Sequence, residues 1–135
     1  MRKILVPTDG SVYSLNAAKY AAKLAGELGS RVSILHVSEY HPRVRARELV
    51  EEEQKLGADI LSKTKKVFDE ASVPVEVMNL EFGNPADMIC SAAEKGAFDL
   101  IVMGEKGVHE IGRFMLGSVA DRVAHHANCP VLIVR

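Results

Sequence analysis

At 135 residues, 47% hydrophobic and 26% charged, the chain has the size and composition of one globular domain with enough apolar material for a core, which excludes a disordered segment and a multidomain array. Seventeen basic residues against eighteen acidic ones leave a net charge of −1, so no overall positive field is available to hold a nucleic acid backbone. No apolar run approaches the roughly 20 residues that span a bilayer, and the N-terminus opens on a strand pattern in place of a signal peptide, so a cytoplasmic location and no membrane partner are expected.

In chain order, "KILVPTDGS" opens with the apolar run Ile4 to Val6 and passes into the turn formers Pro7, Thr8, Asp9 and Gly10, which reads as a short buried strand ending in a loop. A helix follows with Ala17, Ala18, Ala21, Ala22, Leu24, Ala25 and Leu28 along one face, stopped by Gly29. "RVSILHV" from Arg31 to Val37 is a second strand. After a polar loop around Tyr40 to Pro42 comes a long helical stretch from about Arg45 to Ala71. Gly57 lies inside it and costs on the order of 1 kcal/mol there, so a bend or break at that point is expected. The strip "RVRAR" at Arg43 to Arg47 and the acids Glu51 to Glu53 are placed to pair along this helix surface.

"VPVEVMNLEFG" gives a third strand with Pro74 at its start. "GNPADMICSAAEKG" is a helix with Asn84 as cap, Pro85 at the first helical position and Gly96 as stop. "FDLIVMG" is a fourth strand. Ser118 to His126 form the last helix, with Val119, Val123 and Ala127 on one side, and "CPVLIVR" is a fifth strand. Cys90 and Cys129, far apart in sequence with no CxxC, read as buried thiols in a reducing compartment.

Strand and helix alternate throughout, and the strands are continuous apolar runs, which is the pattern of a parallel sheet covered on both faces. Ligands in such sheets sit outside the carboxyl ends of the strands, where the strand order reverses. The candidate strand ends are therefore Val6 to Gly10, His36 to Glu39 and Met103 to Gly107.

The stretch "VMGEKGVHEIGRFMLGSVADRV" places Gly104 at a strand end, Gly107 two residues on, Gly112 in the loop, and Gly117 with Ser118 at the start of the last helix. Glycines at these places let backbone approach a ligand closely, and the first amides of the helix together with its dipole favour an anion such as phosphate. The same glycines also serve as turn punctuation, and Ser118 as a helix N-cap. No GxxxxGK[ST] occurs, and no GxGxxG follows the first strand.

The spacing Gly104, two residues, Gly107, nine residues, Gly117 and Ser118 resembles the ATP-binding motif of the universal stress protein family. "KILVPTDGS", "ILHV", "DLIVMG" and "GSVADRVAHHANCPVLIVR" fall in the order that family uses, so the resemblance covers the chain as one domain, residues 1–135. It implies a three-layer αβα, Rossmann-like fold of the adenine nucleotide alpha hydrolase type, with five parallel strands in the order 3-2-1-4-5. It further implies a stress-response module that binds ATP with Mg²⁺. Pro7, Thr8 and Asp9 would lie beside the ribose or base and Val37 against the adenine. Met103 and Gly104 would lie on the ribose side, with Gly107, Gly117, Ser118 and Val119 at the phosphates. A homodimer through the C-terminal strand and an unidentified regulatory protein partner are implied in the same way.

Two departures bear on that expectation. Glu105 and Lys106 stand where many relatives carry small or basic residues, and Glu110 adds a second carboxylate, so repulsion of a triphosphate must be offset by a cation, Lys106 or Arg113. Catalysis is not expected beyond slow hydrolysis: His109, Glu110, Lys106 and Arg113 occupy the loop without fixed geometry. "HEIGR" has Arg113 where a zinc protease needs its second histidine, and GxSxG is absent. His36 reads as a hydrogen-bonded core residue, and His125 and His126 as complements to a helix dipole. The alternatives are a dimeric interaction protein of the same fold that binds no nucleotide, and a phosphohydrolase using His109 or Glu110.

Overall fold

Alternate residues of the short apolar strands belong to two separate cores, and this arrangement dictates the layers. Ile4 and Val6 with Val32, Ile34, Leu100 and Val102 form one cluster, closed by the alanine face of the first helix and by Leu61 and Phe68 of the second. Leu5, Leu35, Ile101 and Met103 form the other, closed by Ala86, Ile89 and Ala93 of the third helix and Ala120 and Val123 of the fourth. The computed structural model describes residues 2–39, 47–108 and 115–135.

Within these the elements are β1 (Lys3–Pro7), α1 (Val12–Leu28), β2 (Arg31–Ser38), α2 (Arg47–Glu70), β3 (Val75–Phe82), α3 (Pro85–Lys95), β4 (Leu100–Gly104), α4 (Ser118–His126) and β5 (Val131–Val134). They build one sheet in the order β3-β2-β1-β4-β5. Every pair is parallel, with Pro7 opposite Leu35 and Gly104 opposite Val134. The α/β class, the five parallel strands and their order are as the sequence and its resemblance imply.

Local chemistry sets the ends. Ser11 caps α1 by accepting the Ser14 amide at 3.2 Å, and Gly29 closes the helix. Asn84 caps α3 by accepting the Asp87 amide at 3.1 Å, with Pro85 at the first position and Gly96 at the end.

Three expectations need correction. Gly57 neither bends nor breaks α2, which runs unbroken through it; a methyl there would lie 2.6 Å from Leu80 Cδ1, so the glycine lets α2 cross close to β3. Leu28, grouped with the buried face of α1, is 53% exposed, and the whole last turn after Ala25 is exposed with it. Cys90 and Cys129 are free but only half buried. Of the paired charges on α2, Arg47 reaches Glu51 at 3.6 Å, while Glu53 accepts the Ser38 hydroxyl at 2.8 Å; Arg43 to Ala46 lie outside the described residues.

Candidate functional site

In a parallel sheet of this order the strand order reverses between β1 and β4, and the loops leaving adjacent strands on the two sides of such a point diverge to leave a crevice. Asp9, two residues past β1, bridges them. Its Oδ1 accepts the Ser11 amide at 2.9 Å and its Oδ2 accepts the Val108 amide at 3.0 Å. Gly107 is pressed against this carboxylate: a Cβ on it would stand 2.7 Å from Asp9 Oδ2, so the turn accepts only glycine without moving Asp9.

Behind Asp9, Thr8 is 5% exposed and uses its polar groups inside the fold. Its amide donates to the Leu35 carbonyl at 2.8 Å, and its hydroxyl meets those of Thr64 at 2.7 Å and Ser14 at 3.2 Å. Its carbonyl lies 2.8 Å from His36 Nδ1, and since a carbonyl can only accept, Nδ1 carries the proton. His36 is thus the hydrogen-bonded residue its strand position suggests, and it anchors the β1 loop from β2.

The β4 side is fixed by backbone. Glu105 donates its amide to the Val134 carbonyl at 2.9 Å and accepts the Gly117 amide at 2.7 Å, which draws the start of α4 up to the end of β4. Gly117, not Ser118, occupies the cap position and has no side chain to cap the helix; Ser118 is the first helical residue and is exposed. The opening amides of a helix have no carbonyl within it to bond, so the positive end of α4 points out beyond the carboxyl ends of the strands.

Of the residues named from sequence, Asp9 and Gly107 therefore meet at the junction of the β1 and β4 loops, and Gly117, followed by Ser118 and Val119 in the first turn of α4, is tied to the end of β4 through Glu105, with the Val119 side chain packed against the second core cluster. Pro7 closes β1 and is buried. Val37, half buried, and Met103, 5% exposed, pack their side chains into the second core cluster, leaving their backbones at the strand ends. Gly104 is held by a different contact: a methyl on it would lie 2.7 Å from the Tyr13 carbonyl carbon, so it makes room for α1. Gly112, with His109, Glu110 and Arg113, lies outside the described residues.

The charge anticipated at Glu105 is balanced locally. Its carboxylate pairs with Lys106 Nζ at 3.4 Å, and Lys106, only 8% exposed, sits 5.8 Å from the centre of the Tyr13 ring. Lys106 is thus the compensating cation that the sequence offers, while Val108 is a part of the site that residue patterns miss, since nothing in its type or spacing announces an amide bonded to Asp9.

Elsewhere, Asp99 at the opposite end of the sheet accepts the Lys3 and Arg2 amides at 2.9 Å each, and these bonds hold its carboxyl below its usual range. Burial, then the Asp87 carboxylate, push the Cys90 thiol up, and burial does the same to Cys129, which makes both poor nucleophiles near neutral pH. A cleft of about 270 Å³ between α3 and α4 is lined by Asp87, Cys90, Glu94, Arg122, His126 and Asn128. Arg122 in its wall lies 3.4 Å from the Asp87 carboxylate. Among the described residues no group of three or more His, Cys, Asp or Glu could hold a metal ion, and no helix is long and apolar enough to cross a membrane.

Comparison with known proteins follows the same lines. The model of the universal stress protein family matches residues 1–135. A universal stress protein of Methanocaldococcus jannaschii is 42% identical over 143 residues, covering 99% of this chain and 82% of that one. Among solved structures, a universal stress protein in complex with cAMP superposes with a TM-score of 0.81 at 26% identity, covering 99% of this chain and 97% of that one. The Archaeoglobus fulgidus universal stress protein in complex with dAMP gives 0.76 at 25% identity, covering 100% and 98%.

Proposed function

The chain belongs to the universal stress protein family, and on that premise we propose that it is an adenine-nucleotide-binding regulatory module of the cytoplasm. The observation that carries the reading is the convergence at one sheet reversal of Asp9, the Gly107–Val108 turn and the open N-terminus of α4. An anion there meets backbone amides and a helix dipole, and Ser118 adds a hydroxyl. That two relatives were solved with cAMP and dAMP supports an adenine nucleotide as the ligand.

The reading assigns the phosphates to Gly107, Gly117, Ser118 and Val119, the ribose side to Met103 and Gly104, and the nucleoside to Pro7, Thr8, Asp9 and Val37. For Thr8, Asp9, Val37 and Met103 the contact runs through backbone, because their side chains are buried, packed or hydrogen-bonded within the fold. ATP with Mg²⁺ is the proposed ligand. The ion pair of Glu105 with Lys106 removes the main objection to an anion and disfavours the reading of a module that has lost nucleotide. Binding is proposed, with slow hydrolysis at most.

A homodimer through β5 and a regulatory protein partner that reads the loop complete the proposal. Titration of the nucleotide-stripped protein with ATP and Mg²⁺, with GTP as control, tests it. Saturable binding of ATP and little of GTP carries the reading; silence from both removes it.

A further inference from the structure

Asp9 is expected from the family resemblance to touch the ligand, yet its carboxylate is turned into backbone. Both oxygens accept amides, one from its own loop at Ser11 and one from the β4 loop at Val108, at 2.9 and 3.0 Å. The Val108 bond ties together the two loops that frame the crevice, and a Cβ on Gly107 would stand 2.7 Å from the same Oδ2. Hydrogen bonds to a carboxylate are about twice as strong as neutral ones, so this contact fixes where the Gly107 backbone points.

We propose that Asp9 is a positioning residue for phosphate recognition: its carboxylate pins the Gly107–Val108 turn to the end of β1, and the preference of the site for a nucleotide over its nucleoside depends on that pin. The proposal rests on the nucleotide reading above and deepens it. A direct contact from Asp9 to ribose or base would affect adenosine and AMP alike, because both carry the same nucleoside. Preorganised amides act only on the phosphate, so losing the pin costs AMP more than adenosine.

The test uses the full chain and its Asp9→Asn and Gly107→Ala variants. Asp9→Asn keeps one acceptor oxygen for two amide donors, and Gly107→Ala pushes the turn away from an intact Asp9. Affinities for adenosine and for AMP are measured by calorimetry, and exchange of the Val108 amide by NMR in the absence of ligand. The expected result is a fall of about tenfold in the AMP-to-adenosine affinity ratio in both variants, the equivalent of one charge-assisted hydrogen bond. Faster Val108 exchange in Asp9→Asn is expected with it, while the amides of the core strands exchange as in the parent. Equal losses for adenosine and AMP overturn the proposal, as do unchanged affinities for both. If the parent binds neither ligand, the nucleotide reading fails on that result alone. The pin is then decided by exchange, and equal Val108 rates in parent and Asp9→Asn overturn it.

Discussion

Gly104 at the end of β4 lies so close to Tyr13 of α1 that a methyl in place of its hydrogen would stand 2.7 Å from the Tyr13 carbonyl carbon and 2.9 Å from its carbonyl oxygen. The obstacle is backbone of a helix that is itself packed by five fully or nearly buried alanines, so neither side can yield cheaply. Gly104→Ala is therefore expected to lose about 1–3 kcal/mol of stability, the usual cost of overpacking a tight contact. Urea unfolding of the parent and the variant measures it, and a variant as stable as the parent contradicts the contact.

Gly117 makes the opposite prediction. Its φ of −62° and ψ of 154° are open to any residue, so its conformation does not require glycine. Gly117→Val is expected to fold, while the branched side chain beside the first amides of α4 lowers affinity for ATP about tenfold or more, the equivalent of one hydrogen bond to a charged group. Parallel unfolding and calorimetric titrations separate the two effects. A variant that binds as the parent does would remove the phosphates from this end of α4.

Glycines of one loop thus serve different ends, and only part of this is legible in the sequence. Short apolar runs between helical segments led to the parallel sheet, and local signals such as Asn84, Pro85 and Gly96 placed the helix ends, because caps depend on neighbouring residues. The family resemblance supplied the strand order. The separate reasons for Gly104, Gly107 and Gly57 were not readable, since each depends on an element distant in sequence: Tyr13, Asp9 and Leu80. Glu105 differs from them: its partner Lys106 is the next residue, so the compensation is legible in the sequence, and the fold adds that the pair is largely buried. Leu28 shows the limit of periodicity, which assigns a face but not the point along a helix at which burial ends.

Asp99 gives a pH dependence with a defined sign. The amides of Lys3 and Arg2 hold its folded pKa below the ordinary 3.8, so its contribution is fully present above that value and is lost as pH falls through the lower folded one. Asp99→Ala is expected to be less stable than the parent at pH 7, with the gap narrowing once pH drops below about 3.8. Thermal unfolding of both proteins across this range checks it; a gap that stays constant to low pH contradicts it.

The two sheet edges differ in a way that bears on assembly. β3 carries Glu76 and Glu81, both exposed, and charges of this kind discourage pairing with another strand. β5 reads Val131, Leu132, Ile133, Val134, uncharged and only half buried. Sedimentation equilibrium at micromolar concentration is expected to give twice the chain mass of 14.7 kDa. A mass of one chain contradicts pairing through β5.

The most direct measurement of the central claim is an NMR titration of the uniformly ¹⁵N-labelled, nucleotide-stripped protein with ATP and Mg²⁺, because it reports where a ligand binds as well as whether it does. The account predicts saturable shifts of the Val108, Ser118 and Val119 amides and of those flanking Asp9, with the cleft between α3 and α4 unaffected. Shifts confined to Asp87, Cys90 and Arg122 in that cleft, or no saturable shift at all, would contradict it.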